Sequence, residues 1–177
     1  GRTADLALKT AGHLLVVIGR EDGHLGQSLY QQIIAGRLEG APPPVDLADE
    51  IKAGSLIRSL IRDGGVRTVH DVSDGGLLVA IAEMALAGDL GVELFPNEGK
   101  LPDHAVWFGE DQGRYVLEVS PEEAQSIIDR ARLLGIPARI VGRTGGEELV
   151  LKGEVALKLA ELREIHESWL PRYMAGL

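Results

Sequence analysis

The sequence predicts an α+β fold, a mixed sheet packed with helices, on three observations. Short apolar runs alternate with segments of helical spacing along the whole chain. Several of the runs are joined by tight glycine turns, which suits antiparallel neighbours better than a purely parallel sheet. The chain has 177 residues, enough for one domain with its own core. Hydrophobic residues make up 45% of it and aromatic residues only 4%, so that core is expected to be aliphatic.

The elements follow in order. His13 to Ile18, ended by Gly19, is predicted as a buried strand, and Glu21 to Ser28 as a loop into a helix over 28–35. The run Gly40-Ala41-Pro42-Pro43-Pro44 cannot continue a helix and reads as an extended connection. Asp46 caps the next helix, whose Leu47, Ile51, Leu56, Leu60 and Ile61 keep roughly helical spacing before Gly64-Gly65. Val66, Thr68 and Val69 approach as a strand, and a helix over 76–87 follows that is apolar nearly all round, with Glu83 its only charge. Val92 to Phe95 and Arg114 to Val119 are short strands. Ser120-Pro121-Glu122-Glu123 carries an N-cap serine, proline at N1 and glutamate at N3, and that helix stops at Gly135. Ile136 to Val141 is a strand, Thr144-Gly145-Gly146 a turn, and Leu149-Val150-Leu151 its expected hairpin partner. A last helix is expected over 156–167, before Pro171. Trp107 and Trp169 are isolated and read as core or interface residues.

Composition excludes several function classes. A net charge of −9 is the wrong sign for nucleic acid or an anionic membrane. With no cysteine there is no disulfide, thiolate nucleophile or cysteine-held zinc. No apolar run approaches a membrane span and no signal peptide opens the chain, so a cytoplasmic location is expected. The start at Gly1-Arg2-Thr3 suggests either a processed chain or, the preferred reading, a piece cut from a larger protein.

Chemistry concentrates in residues 69–78, Val69-His70-Asp71-Val72-Ser73-Asp74-Gly75-Gly76-Leu77-Leu78. Asp71, Ser73 and Asp74 are hard oxygen donors at a strand end that faces a helix N-terminus, an arrangement suited to magnesium and a phosphate group. Gly75 and Gly76 would let the backbone approach closely. The same residues also fit a plain helix cap, with Ser73 or Asp74 bonding the first free amides and Asp74-Gly75 making the turn. His70 reads more readily as a packed histidine than as a catalyst. Glu110-Asp111-Gln112-Gly113-Arg114 offers two acids, an amide and a guanidinium, either to a polar ligand or as a solvated turn. His24-Leu25-Gly26-Gln27-Ser28 is a weaker anion-loop candidate. No P-loop, nucleophile elbow or zinc spacing occurs.

The stretch from His70 to Leu78, followed by Ala82-Glu83-Met84-Ala85, resembles the C-terminal domain of the phosphoribosylformylglycinamidine synthase family. Gly12 to Gly19 with Leu25-Gly26-Gln27-Ser28, Phe108-Gly109-Glu110-Asp111, and Gly113-Arg114-Tyr115-Val116 agree in order and spacing, so the likeness covers about residues 10–165. The resemblance implies a fold like the C-terminal domain of aminoimidazole ribonucleotide synthetase, occupying 1–177 as one domain of a larger enzyme. It implies an ATP-dependent carbon–nitrogen ligase of de novo purine synthesis, acting on formylglycinamide ribonucleotide with glutamine-derived ammonia. It also implies a glutaminase subunit and a small bridging subunit as partners, beside the remaining domains of the same chain. By position, Asp71 would hold Mg2+, and Ser73, with Asp74, Gly75 and Gly76, would contact ATP or ADP at an auxiliary site. By analogy with the first half of such enzymes, Glu110, Asp111 and Gln112 would touch substrate. The catalytic segments of the N-terminal domains are missing here, so no catalytic residue is expected in this chain. Two alternatives stay open: another ATP-using relative of the selenophosphate synthetase or thiamine-monophosphate kinase type, and a scaffold domain whose inherited site binds nothing.

Overall fold

The computed structural model describes residues 2–151 and 155–176. Among the described residues seven strands form one sheet: β1 (Leu14–Ile18), β2 (Thr68–Val72), β3 (Val92–Leu94), β4 (Arg114–Val119), β5 (Ala138–Thr144), β6 (Glu148–Leu151) and β7 (Val155–Lys158). Their order is β2-β4-β1-β5-β3-β6-β7. All neighbours are antiparallel except β3 and β6, which makes the sheet mixed, as expected. The helices are α1 (Leu29–Ile34), α2 (Leu47–Asp63), α3 (Gly76–Gly88), α4 (Asp103–Phe108), α5 (Pro121–Leu133) and α6 (Leu159–Met174).

Strand alternation assigns the two cores. Val16, Ile18, Leu117 and Val119 point to one face and meet Leu56, Ile57 and Leu60 of α2 and Ile127 and Ile128 of α5. Leu15, Val17, Val116 and Val141 point to the other and meet Leu77, Ile81 and Met84 of α3, Val106 and Trp107 of α4, and Leu159 of α6. The central strand β1 is buried at every position because both of its faces are covered.

The expected caps form. Asp46 accepts from the Ala48 and Asp49 amides at 2.9 and 3.1 Å, and Gly64, at φ +83°, closes α2 in the left-handed region. Ser120 accepts from the Glu123 amide, and its hydroxyl donates to the Glu123 carboxylate at 3.0 Å. The helix after Ser28 is short, and no residue of α1 is buried.

Three expectations are corrected. The strand over 148–151 is not the hairpin partner of β5. Gly145 donates to the Gly91 carbonyl and Gly91 to that of Gly146, at 2.7 and 2.8 Å, so the turn is bound to the segment before β3. The chain thereby crosses β3, which inserts between β5 and β6. Residues 155–158 are strand rather than helix, because β6 pairs with them. The last helix continues through Pro171, whose missing N–H frees the carbonyl of exposed Glu167, where water can bond it. Of the two tryptophans, Trp107 is a core residue, as expected, and Trp169 lies exposed against Tyr173, with ring centroids 5.4 Å apart. The six-residue α4 had no periodicity long enough to be read.

Candidate functional site

Strand pairing gathers the three sequence candidates at one end of the sheet. Ile18 lies opposite Tyr115 and Ala138, and Val72 opposite Arg114. The loops after β1 and β2 therefore converge with the loops before β4 and β5.

Asp71 is in β2, an edge strand, and its side chain is 70% exposed. Its Oδ1 lies 3.4 Å from His70 Nδ1, while His70 Nε2 lies 2.8 Å from Glu83 Oε2 on α3. His70 thus packs between the strand and the helix, its side chain mostly covered. Ser73 and Asp74 are exposed in the turn that follows. Neither caps α3, whose N-cap residue is Gly75 and which has no side-chain cap.

The two glycines are conformationally required. Gly75 and Gly76 take φ values of +83° and +76°, a region costly for residues bearing a Cβ. A Cβ on Gly76 would also stand 2.7 Å from the Gly109 carbonyl oxygen. Their amides are not open: Gly75 donates to Glu110 Oε1 at 2.8 Å and Gly76 to the Ser73 carbonyl at 3.0 Å. A carboxylate already sits at the positive end of α3, where a phosphate would otherwise be drawn.

Glu110 and Asp111 turn inward. The same Glu110 Oε1 accepts from the Leu29 amide at 2.9 Å, so one oxygen bridges the starts of α1 and α3. Asp111 is buried and accepts from the amides of Asp22, Gly23 and His24 at 3.2, 2.9 and 3.1 Å. Gln112 is exposed, with its side-chain amide 3.4 Å from the Glu110 carbonyl. It lines a cleft of about 270 Å3 together with Arg20, Asp46, Asp49 and Glu50.

Beneath these loops lies Arg114, 1% exposed, donating to the carbonyls of Asp111 and Gly109. Burial pushes its pKa down, opposed by the charges of Asp111 and Glu21. Glu21 in turn takes a two-pronged contact from Arg139, at 2.7 and 2.9 Å. Sequence reasoning missed the Glu21–Arg139 pair, since 118 positions separate its members and only the β1–β5 pairing joins them. The His24 loop is not an open anion site: His24 Nε2 lies 2.8 Å from the Ala41 carbonyl, and Ser28 accepts from the Gln31 amide as N-cap.

Hard-oxygen chemistry gives a mixed fit to magnesium and a nucleotide. The exposed Asp71 carboxylate and Ser73 hydroxyl suit the metal and a phosphate oxygen, whereas the glycine amides are committed. Among the described residues, no group of three or more His, Asp or Glu side chains is placed to hold a metal by itself.

Comparison with known proteins agrees with this fold. The chain is 50% identical, over 99% of its length, to the phosphoribosylformylglycinamidine synthase subunit PurL of Methylocella silvestris, of which it spans 24%. It thus covers about a quarter of the curated relatives it matches. Two structures of Thermotoga maritima PurL, complexed with FGAR and with ATP, superpose with TM-scores of 0.73 and 0.70. Each is 19% identical and covers 90% of this chain, which spans 29% and 27% of the respective structures; at that identity they establish the fold alone. The family profile of the AIR synthase related protein C-terminal domain matches residues 10–153, and the chain belongs to that family.

Proposed function

We propose that this chain is the C-terminal domain of a phosphoribosylformylglycinamidine synthase synthetase subunit, and that its share of the work is to help close a nucleotide site. The observation that carries the reading is half-identity over nearly the whole chain to a PurL subunit. The whole enzyme would use ATP to activate the formyl-amide oxygen of formylglycinamide ribonucleotide. Ammonia derived from glutamine would then form the amidine. The remaining domains, a glutaminase subunit, a small bridging subunit and a cytoplasmic setting belong to the same proposal. The described residues include no helix long and apolar enough to cross a membrane.

In this reading Asp71 holds Mg2+ and Ser73 contacts ADP or ATP, with exposed Asp74 beside them. Magnesium there would offset phosphate charge that a chain of net charge −9 otherwise repels. One carboxylate is too few for a six-ligand ion, so the rest of the shell would come from phosphate, water and residues outside this chain. Asp111 supports the loop after β1 through both carboxylate oxygens, and Glu110 joins two helix starts through Oε1 alone, so a substrate contact by Glu110 would be made through Oε2. Gln112 is the most exposed of the trio and lines the same cleft as Asp111.

The test uses the full-length parent, wild type and Asp71→Asn, assayed for ADP release with ATP, ammonia and formylglycinamide ribonucleotide. Substrate-dependent turnover in the wild type and its loss in Asp71→Asn are expected. No turnover in the wild type would remove the purine-pathway reading. Full turnover in Asp71→Asn would make Asp71 architectural.

A further inference from the structure

The motif turn needs something to hold it. Ser73-Asp74-Gly75-Gly76 contains two successive glycines in the left-handed region, and glycine gives up more conformational freedom on ordering than any other residue. No side chain of the turn caps α3. The fixed point is supplied from outside: Glu110 Oε1 accepts the Gly75 amide at 2.8 Å. Its own amide donates to the His24 carbonyl at 2.9 Å, which anchors Glu110 to the loop after β1. The same carboxylate oxygen takes the Leu29 amide at 2.9 Å. Tyr30 of α1 then stacks with His104 and Phe108 of α4, with centroids 5.7 and 5.2 Å away. Since α1 buries no residue, these contacts carry much of its attachment.

We propose that Glu110 is a positioning residue of the candidate metal–nucleotide site, a clasp that fixes the turn carrying Ser73, directly after Asp71 at the end of β2, and ties it to α1. The inference rests on the reading of Asp71 and Ser73 given above. The clasp also closes the α3 N-terminus to phosphate, leaving the approach to the exposed side chains of Asp71 and Ser73. Outer groups of this kind commonly change metal affinity by about 10–100-fold when removed.

The experiment uses the full-length parent as wild type, Glu110→Gln, Glu110→Ala and Asp71→Asn. Binding of ADP at fixed magnesium is followed by equilibrium dialysis, and backbone hydrogen exchange is followed without nucleotide. A glutamine oxygen can still accept both amides, so Glu110→Gln should bind ADP within about threefold of wild type. Glu110→Ala should weaken ADP roughly tenfold and speed exchange in 75–78 and 29–32 together. Equal losses in the Gln and Ala variants would mean that the charge itself is a ligand, and would overturn the clasp. Unchanged exchange in Glu110→Ala, or unchanged binding, would overturn it as well. The nucleotide reading fails separately, through absence of magnesium-dependent binding in the wild type or full binding in Asp71→Asn. Either result withdraws the positioning role, while the exchange data still report whether the two helix starts are joined.

Discussion

Asp111 and Arg114 show how one short segment can look like a binding motif and serve the scaffold. The Asp111 carboxylate is placed where three successive amides converge, and each bond to a charged acceptor is worth about 1.5–3 kcal/mol. Truncation to alanine would strand those donors. For Asp111→Ala in the parent protein, the exchange free energy of the Gly23 amide should fall by about 2 kcal/mol; an unchanged value would show that these bonds do not hold the loop. Arg114 is fully enclosed and planar, and its fork reaches two carbonyls at once. Lysine offers a point charge on a flexible stem and cannot reproduce that contact. Arg114→Lys should therefore lower the thermal midpoint of the parent, whereas Arg132→Lys, on an exposed i,i+3 pair, should leave it in place. Glu110, Asp111 and Gln112 were legible as a polar cluster. The direction taken by the two carboxylates was not, because it depends on amides 35 to 89 positions away.

At the scale of elements, local signals placed most helices and strands and failed where pairing overrode them. Asp46, Ser120 and Gly64 each act through their own neighbours, so their roles were readable from sequence. The supposed hairpin of 136–151 failed because two bonds to Gly91, over 50 positions back, redirect the turn. The junction of β2 and α3 combines both kinds of control: the Asp-Gly-Gly signature marks a turn, and its packing on Gly109 demands glycine at 76. Gly76→Ala meets both a positive φ and a backbone oxygen at 2.7 Å, and should cost more than about 1 kcal/mol in the local exchange free energy of α3. Gly36→Ala, at φ +64° with open space around it, isolates the backbone term alone and should cost less. Equal effects would show that the close approach to Gly109 is not a constraint.

For the whole molecule, the proposed reading has the chain present only part of a site. Asp71 lies on an edge strand of the sheet, and no complete metal shell gathers among the described residues. Apolar side chains stand exposed on α1 (Ile33, Ile34) and on α6 (Ile165, Trp169). The chain alone is therefore expected to be inert: with ATP, ammonia and formylglycinamide ribonucleotide, ADP release should stay at background under conditions where the parent turns over. Substrate-dependent release by the fragment would refute the composite-site reading.

Sequence by itself determined the mixed α+β class, the caps, the apolar α3 and the Asp71–Gly76 motif, since each rests on periodicity or on interactions within a few residues. Only the tertiary structure decided which carboxylates remain available. Asp71 stays exposed on an edge strand, while Glu110 Oε1 and both Asp111 oxygens are bonded to distant amides. The physical reason is that a carboxylate's chemistry depends on what neutralises or desolvates it, and those partners arrive through strand pairing between segments far apart in the chain.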